Sequence, residues 1–274
     1  MTGALAAAVP TNCTVDNSHV FSGSGCGYPA PGLETFDFKP LFYIGSWGVT
    51  KPEFLAILCA LAVIVFFWVA FHKPKMIPGR TQSLAEMGIL AVRDQILRPS
   101  LGRKGDKYLG FIASLFFYIL LCNLMELIPV LQFPVMARIG FVWPLVLIMY
   151  GTYWYLGFKA KGFFGYFRSW IPTAPWPILI ILIPVEVLKY VVVQPFTLGI
   201  RLFANMFAGH LLLTIFMLAT WYLASFSIGL VFAAGSFVLV FFVFVLELLV
   251  DLLQAFIFTT LISTYIADSL EYQH

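Results

Sequence analysis

Two apolar stretches near the end of the chain, about 176–224 and 228–267, each run for forty residues or more. A helix of forty residues is roughly 60 Å long, about twice the ~30 Å hydrocarbon core of a bilayer. Each stretch is therefore either two spans or one long helix lying steeply across the membrane. Two spans need a turn inside each stretch. The last one offers only Gly235-Ser236 and no proline, which is poor turn material. The other carries Pro184 and Pro195, which can kink a helix without reversing it. Typical spans tilt by about 20°, whereas ~60 Å inside ~30 Å demands roughly 60°. Lipid alone does not hold a helix so steeply, so a protein partner along its length is expected.

The rest of the chain fits a polytopic helical membrane protein. It is 61% hydrophobic and 11% charged, against about 25% charged for an average soluble domain. Residues 1–52, rich in Gly, Pro and Ser, read as an extramembrane N-terminal segment, and 53–274 as the membrane domain. Spans are expected near 54–71, 108–128 and 141–158, followed by the tilted helices near 176–224 and 228–267. No internal repeat and no heptad array is evident. The fold class is all-α, with five crossings and a long tilted C-terminal hairpin.

Charge orients it. Lys73, Lys75, Arg80, Arg93, Arg98, Arg103, Lys104 and Lys107 lie between the first two spans, and Lys159, Lys161 and Arg168 follow the third. The opposite side holds Lys39, Lys51 and Arg138. The positive-inside rule puts 72–107 and 159–175 in the cytoplasm, the N-terminus outside and the C-terminus inside. These basic residues are orientation signals, with no nucleic-acid partner implied. Within the first loop, Ser83 to Arg98 reads as an amphipathic surface helix. Ser83 and Glu86 have capping-box spacing, and Leu84, Met87, Leu90, Ala91 and Leu97 can share a face.

Polar groups at membrane depth carry the functional signal, because each costs a few kcal/mol there, roughly 2.5–3.5 for a charge on insertion scales. Arg201 is the only arginine in its stretch. Thr197, Arg201 and Asn205 recur at helical spacing and form one stripe; Glu247, Asp251 and Gln254 form another. If Gln254 is level with Arg201, Glu247 lies ~10.5 Å and His210 ~13.5 Å toward the outside. A carboxylate and an imidazole at similar depth suit a proton relay. Asn123 and Glu126 extend this outer group, while Glu186 and Lys189 lie on the inner side. Polar groups thus flank the arginine level from both sides, which implies two partial water paths and not one open pore. No metal site and no cofactor motif is predicted.

Pro195-Phe196-Thr197-Leu198-Gly199-Ile200-Arg201-Leu202-Phe203-Ala204-Asn205, running on to Gly209-His210, resembles the signature of the subunit a family of F-type ATP synthases. Leu253-Gln254-Ala255-Phe256-Ile257-Phe258 is similar to that family's last-helix motif, and Asn123-Leu124-Met125-Glu126-Leu127-Ile128-Pro129 to its second-span motif. The resemblance covers roughly 80–274. It implies a non-catalytic stator of ATP synthesis that supports hydrogen ion transport. Two offset proton half-channels would face a rotating c-ring in the membrane sector, with peripheral-stalk b subunits and membrane lipid as further partners. Arg201 would be the essential arginine, with Gln254 beside it and Asn205 on the path. His210 and Glu247 match positions where some relatives carry the acid and the imidazole exchanged. Glu186 departs from the pattern, since the family's acid lies one residue nearer the proline, and Asp251 matches no family residue. A fixed guanidinium, which does not deprotonate, favours the charged form of a passing ring carboxylate.

Competing readings make different demands. A self-contained ion-coupled transporter, with Arg201 on an anionic substrate, predicts internal repeats or paired broken helices. A purely structural scaffold predicts no ionisable groups at mid-depth, whereas Glu126, Glu186, Lys189, Arg201, Glu247 and Asp251 are all there. Glu186 and Lys189 are also spaced to form an ion pair, and Cys59 and Cys122 read as small buried apolar groups. Cys13 and Cys26, both expected outside, would close a loop of about 14 residues worth roughly 3 kcal/mol if bridged; the alternative is two thiols on a leader. Met1 to Pro10 holds no lysine or arginine. A transit peptide is therefore not expected, and a bacterial plasma membrane is.

Overall fold

The structure, a computed structural model, describes residues 42–44, 47–73, 75–128, 133–170, 175–223 and 229–270. Cys13 and Cys26 lie outside them. Among the described residues, five helices or helical runs are long and apolar enough to cross a membrane: Lys51–Phe71, Arg80–Leu124, Ile139–Lys161, Pro177–Trp221 and Leu230–Leu270. The chain is an all-α membrane protein, with one addition that hydropathy did not suggest. Strands β1 (Phe42–Ile44) and β2 (Trp47–Val49) pair antiparallel just before helix α1 (Lys51–Phe71).

The described residues form two compact units, one within Pro52–Met206 and Asp251–His274, the other within Met1–Lys51 and Phe207–Val250.

In the larger unit, α1 and α4 (Leu109–Leu124) meet through small and aromatic side chains. Cys59 and Cys122 are both fully buried and touch each other, as expected for small apolar groups. The Phe67 and Phe117 rings meet edge-on at 5.1 Å. Helix α2 (Arg80–Val92) lies against the same Phe117, where Gly88 leaves room for the ring.

The surface helix differs from expectation at both ends. It begins at Arg80, so Ser83 is an interior residue whose N–H already donates to the Gly79 carbonyl, and the capping box is not made. Gln82 ties the first turn instead, bonding Glu86 and the Lys75 backbone. Leu84, Met87 and Leu90 are exposed on one face as expected, but Leu97 is fully buried. A π-helical turn over Arg93–Leu97 causes this, because one extra residue in a turn rotates all that follows. Helix α3 (Arg98–Leu101) and a 3₁₀ segment, Gly102–Tyr108, then lead into α4.

Helix α5 (Ile139–Lys161) turns sharply into α6 (Phe163–Arg168) at Gly162, whose φ of 73° is costly for a residue with a side chain. Gly157 makes the close approach possible, since any Cβ there would overlap the Tyr166 ring. Burial pushes the Tyr166 phenol up, so it stays neutral. Trp170 then stacks on Tyr190 at 5.1 Å.

The first long stretch is not one uniform helix. Helix α7 (Trp176–Leu188) passes through a π-helical turn, Lys189–Val193, into α8 (Gln194–Leu223). The Gln194 N–H reaches back five residues to the Lys189 carbonyl. This widened turn sits just before Pro195, whose ring and missing N–H disfavour an ordinary turn there. The second stretch is a single unbroken helix, α9 (Gly229–Leu270), with Gly235-Ser236 inside it. Its 42 residues make it roughly 63 Å long at ~1.5 Å per residue.

Candidate functional site

Helix α9 arranges its polar residues along one edge. Ser236, Glu247, Asp251, Gln254, Tyr265 and Asp268 fall at whole-turn spacings built from steps of three and four. The opposite face is apolar and exposed, including Phe237, Phe241, Phe242, Leu249 and Leu253. A helix with one narrow polar edge and a broad apolar face presents that edge to its neighbours in the protein.

In the smaller unit this edge meets α8. Glu247 is 2% exposed and His210 is 9% exposed, although both are strongly polar. Gly209, the residue before His210, lies directly against the Glu247 carboxylate, and a Cβ built at Gly209 would overlap it. This contact brings Glu247 beside the turn of α8 that carries His210. Nearby, the Thr214 hydroxyl donates to the His210 carbonyl at 2.7 Å. Ser236 donates to the Phe216 carbonyl at 3.0 Å, which holds the two helices in register.

In the larger unit the same edge meets α4. Asp251 and Asn123 are fully buried, and the Asn123 amide donates to the Asp251 carbonyl at 3.5 Å. Glu126, one turn on from Asn123, is also buried, as is Gln254. Thus Asn123 of the second span packs against the last helix. Arg201 and Asn205 are half-buried on α8, whereas Thr197 is exposed. Val142 and Val146 of α5 press on Gly199, just ahead of Arg201, and Tyr150 donates to Gln194 at 3.3 Å. These contacts fix the helix that carries the arginine.

The larger unit also holds a polar cavity of about 250 Å³. Glu186, Lys189, Tyr190 and Gln194 approach from one side, Tyr265 and Asp268 from α9, and Tyr153 and Lys161 from α5. Glu186 and Lys189 pair at 2.6 Å, so the ion-pair reading of that spacing is correct. Lys189 also stands over the Tyr190 ring at 4.6 Å. Lys161 donates to the Asp268 carbonyl at 3.2 Å, tying the end of α5 to the end of α9. Tyr265 lies within electrostatic reach of Arg201, Asp268 and Lys189.

Tyr265, Asp268 and Gln194 were not singled out by sequence reasoning. The signal was available, since Tyr265 and Asp268 continue the three-and-four spacing of Glu247, Asp251 and Gln254. Among the described residues, no group of three or more His, Cys, Asp or Glu side chains could hold a metal ion.

Long apolar helices with a sparse set of buried acids, amides and an imidazole, and a half-buried arginine, define a membrane protein with polar groups set among its helices. A family model described as ATP synthase A chain matches residues 54–267. Curated relatives agree over nearly the whole chain. A protein of Streptomyces lividans called ATP synthase subunit a is 38% identical, with 99% of this chain and 98% of the relative covered. Proteins of the same name from a Nocardioides species and from Rhodospirillum rubrum are 35% and 36% identical. They cover 94% and 87% of this chain, and 98% and 97% of their own lengths. The chain belongs to the ATP synthase A chain family.

Proposed function

We propose that the chain is the stator of the membrane sector of an F-type ATP synthase and carries protons between two offset half-channels and a rotating ring of c subunits. Arg201, held on α8 in an otherwise apolar run, is the observation that carries this reading. An arginine at that depth persists only where it is paired, wetted or used. Here it separates two kinds of polar surroundings along its chain. His210 with Glu247 supplies groups that exchange protons near neutral pH, and Asn123, Glu126 and Asp251 are buried polar groups of the larger unit. The cavity around Glu186 and Asp268 offers a second aqueous path. Asn205 and Gln254 flank the arginine level.

Each group has a task in this scheme. A ring carboxylate carrying a proton releases it as it nears Arg201, because the guanidinium favours the charged form. Arg201 cannot donate a proton in exchange, so it blocks a direct leak between the two paths. The chain performs no chemistry on ATP and acts only through its partners. The broad exposed apolar faces of α7, α8 and α9 support docking of a ring and of lipid. A helix of ~63 Å in a ~30 Å core lies steeply, and the curve of a ring supplies the support that lipid lacks. Peripheral-stalk b subunits would hold the stator still.

The excess of basic residues in 72–107 and 159–175 supports a bacterial plasma membrane protein with these loops and the C-terminus in the cytoplasm and residues 1–52 outside. Purification in mild detergent tests the assignment. Recovery of a c-ring and stalk proteins with the chain is the expected result; a stable complex lacking any ring of small proteolipid subunits contradicts it.

A further inference from the structure

Three full turns of α9 separate Gln254 from Tyr265, so the two share a face about 16.5 Å apart. Between the arginine level and the cavity, the threonine hydroxyls of α9 are already committed, and the Ser263 hydroxyl, buried without a partner among the described residues, lies nine residues from Gln254 and so on the opposite side of the helix. Thr259 donates to Ala255, Thr260 to Phe256 and Thr264 to Thr260, all along their own helix. A hydroxyl whose proton is fixed on a helix carbonyl is a poor relay, because relaying needs one group to accept and donate in turn. Tyr265 differs. It lines the cavity, and no hydrogen bond among the described residues engages its hydroxyl. Its ring is set by Tyr153, 6.2 Å away centre to centre. Asp268 and Lys189 share the cavity with it, and Arg201 lies within electrostatic reach.

We infer that the Tyr265 hydroxyl is the relay that passes protons between the Arg201 level and the cavity holding Glu186 and Asp268. The inference rests on the half-channel reading above and deepens it. The phenol accepts a proton from a water on the arginine side and releases its own to a water in the cavity; no bond beyond O–H is made or broken, and the group ends neutral. The remaining walls position it. Lys189 is held by Glu186 and the Tyr190 ring, and Lys161 is engaged with the Asp268 carbonyl. Neither lysine is free to swing in and take the role.

The test is passive proton flux through the assembled membrane sector, in vesicles stripped of the catalytic head and driven by a potassium diffusion potential. Flux is read per assembled complex. Tyr265→Phe keeps the ring and loses the hydroxyl. It should conduct at least about tenfold slower than wild type, short of the ~10²–10⁴ typical of a positioned acid–base group because cavity water takes over part of the transfer. Tyr265→His, which restores an exchangeable proton, should recover most of the flux. Wild-type flux in the Phe variant overturns the inference, as does an equal loss in the Phe and His variants, which would mark a packing role. Arg201→Ala in companion vesicles that keep the catalytic head separates the two levels of argument. If it retains normal head-driven pumping, the half-channel reading itself fails; if only the Tyr265 variants behave like wild type, that reading stands and the relay does not.

Discussion

Substituting Gly209 by alanine tests the contact between α8 and the Glu247 carboxylate. The new methyl would overlap that carboxylate directly. Overpacking of this kind costs about 1–3 kcal/mol. Alanine in a helix interior recovers about 0.8–1.0 kcal/mol relative to glycine. The net destabilisation is therefore modest, between about zero and 2 kcal/mol, and the complex should still assemble. Function responds more strongly. The glutamate side chain, with three rotatable bonds, gives way before either backbone does. A reacting group misplaced by ~1 Å can lose about 10²-fold in rate. ATP-driven pumping in inverted vesicles, measured by quenching of a pH-sensitive dye, should fall by roughly that factor while the amount of assembled complex stays near wild type. Pumping at the wild-type rate would refute the reasoning. A fall in activity that merely tracked lost assembly would refute it too, because the methyl would then act on stability alone.

Other consequences are separate. Replacing His210 or Glu247 singly should slow proton uptake, and the exchange His210→Glu with Glu247→His should restore part of it; strictly additive defects in the double-mutant cycle would argue against proximity. The half-exposed Glu186–Lys189 pair should contribute at most about 1 kcal/mol of coupling, read from thermal stability of the four members of a cycle. Gly157→Ala drives a methyl into the Tyr166 ring, so it should lower thermal stability by about 1–2 kcal/mol after the gain in helix propensity, with no change in the pH response of pumping. Alkylation of unreduced protein followed by mass spectrometry should find Cys13 and Cys26 blocked from labelling if they are bridged, and both labelled if they are not.

What could be read from the residues followed from how strongly each signal constrains the backbone. Hydropathy over twenty residues is hard to counterfeit, so the membrane helices stood out, including the unbroken run through Gly235-Ser236. Arg201, Glu247, Asp251 and Asn123 were equally visible, because a polar side chain deep in an apolar run has no bland surface explanation. Local geometry was less legible. The pattern from Ser83 to Glu86 looked like a helix start, yet the helix begins at Arg80 because Gly79 and Gln82 close its first turn. The π turn over Arg93–Leu97 then moved Leu97 from the expected apolar face to the interior. Nothing in the residue types marks such an insertion. Prolines 184 and 195 pointed to an irregularity, but not to its place at Lys189–Val193. The cavity was the largest omission. Tyr265 and Asp268 look like ordinary residues of a helix end, and only their alignment with Gln254 and their meeting with Glu186 across the fold give them a setting.

Arg201 carries the central claim, and pumping by its variants tests it most directly. Inverted vesicles energised with ATP should show no proton uptake when Arg201 is replaced by alanine. Lysine in its place should also fail or nearly so, since an ammonium in a desolvated site can lose its proton where a guanidinium does not. Assembled complexes of either variant that pumped at the wild-type rate would contradict the account.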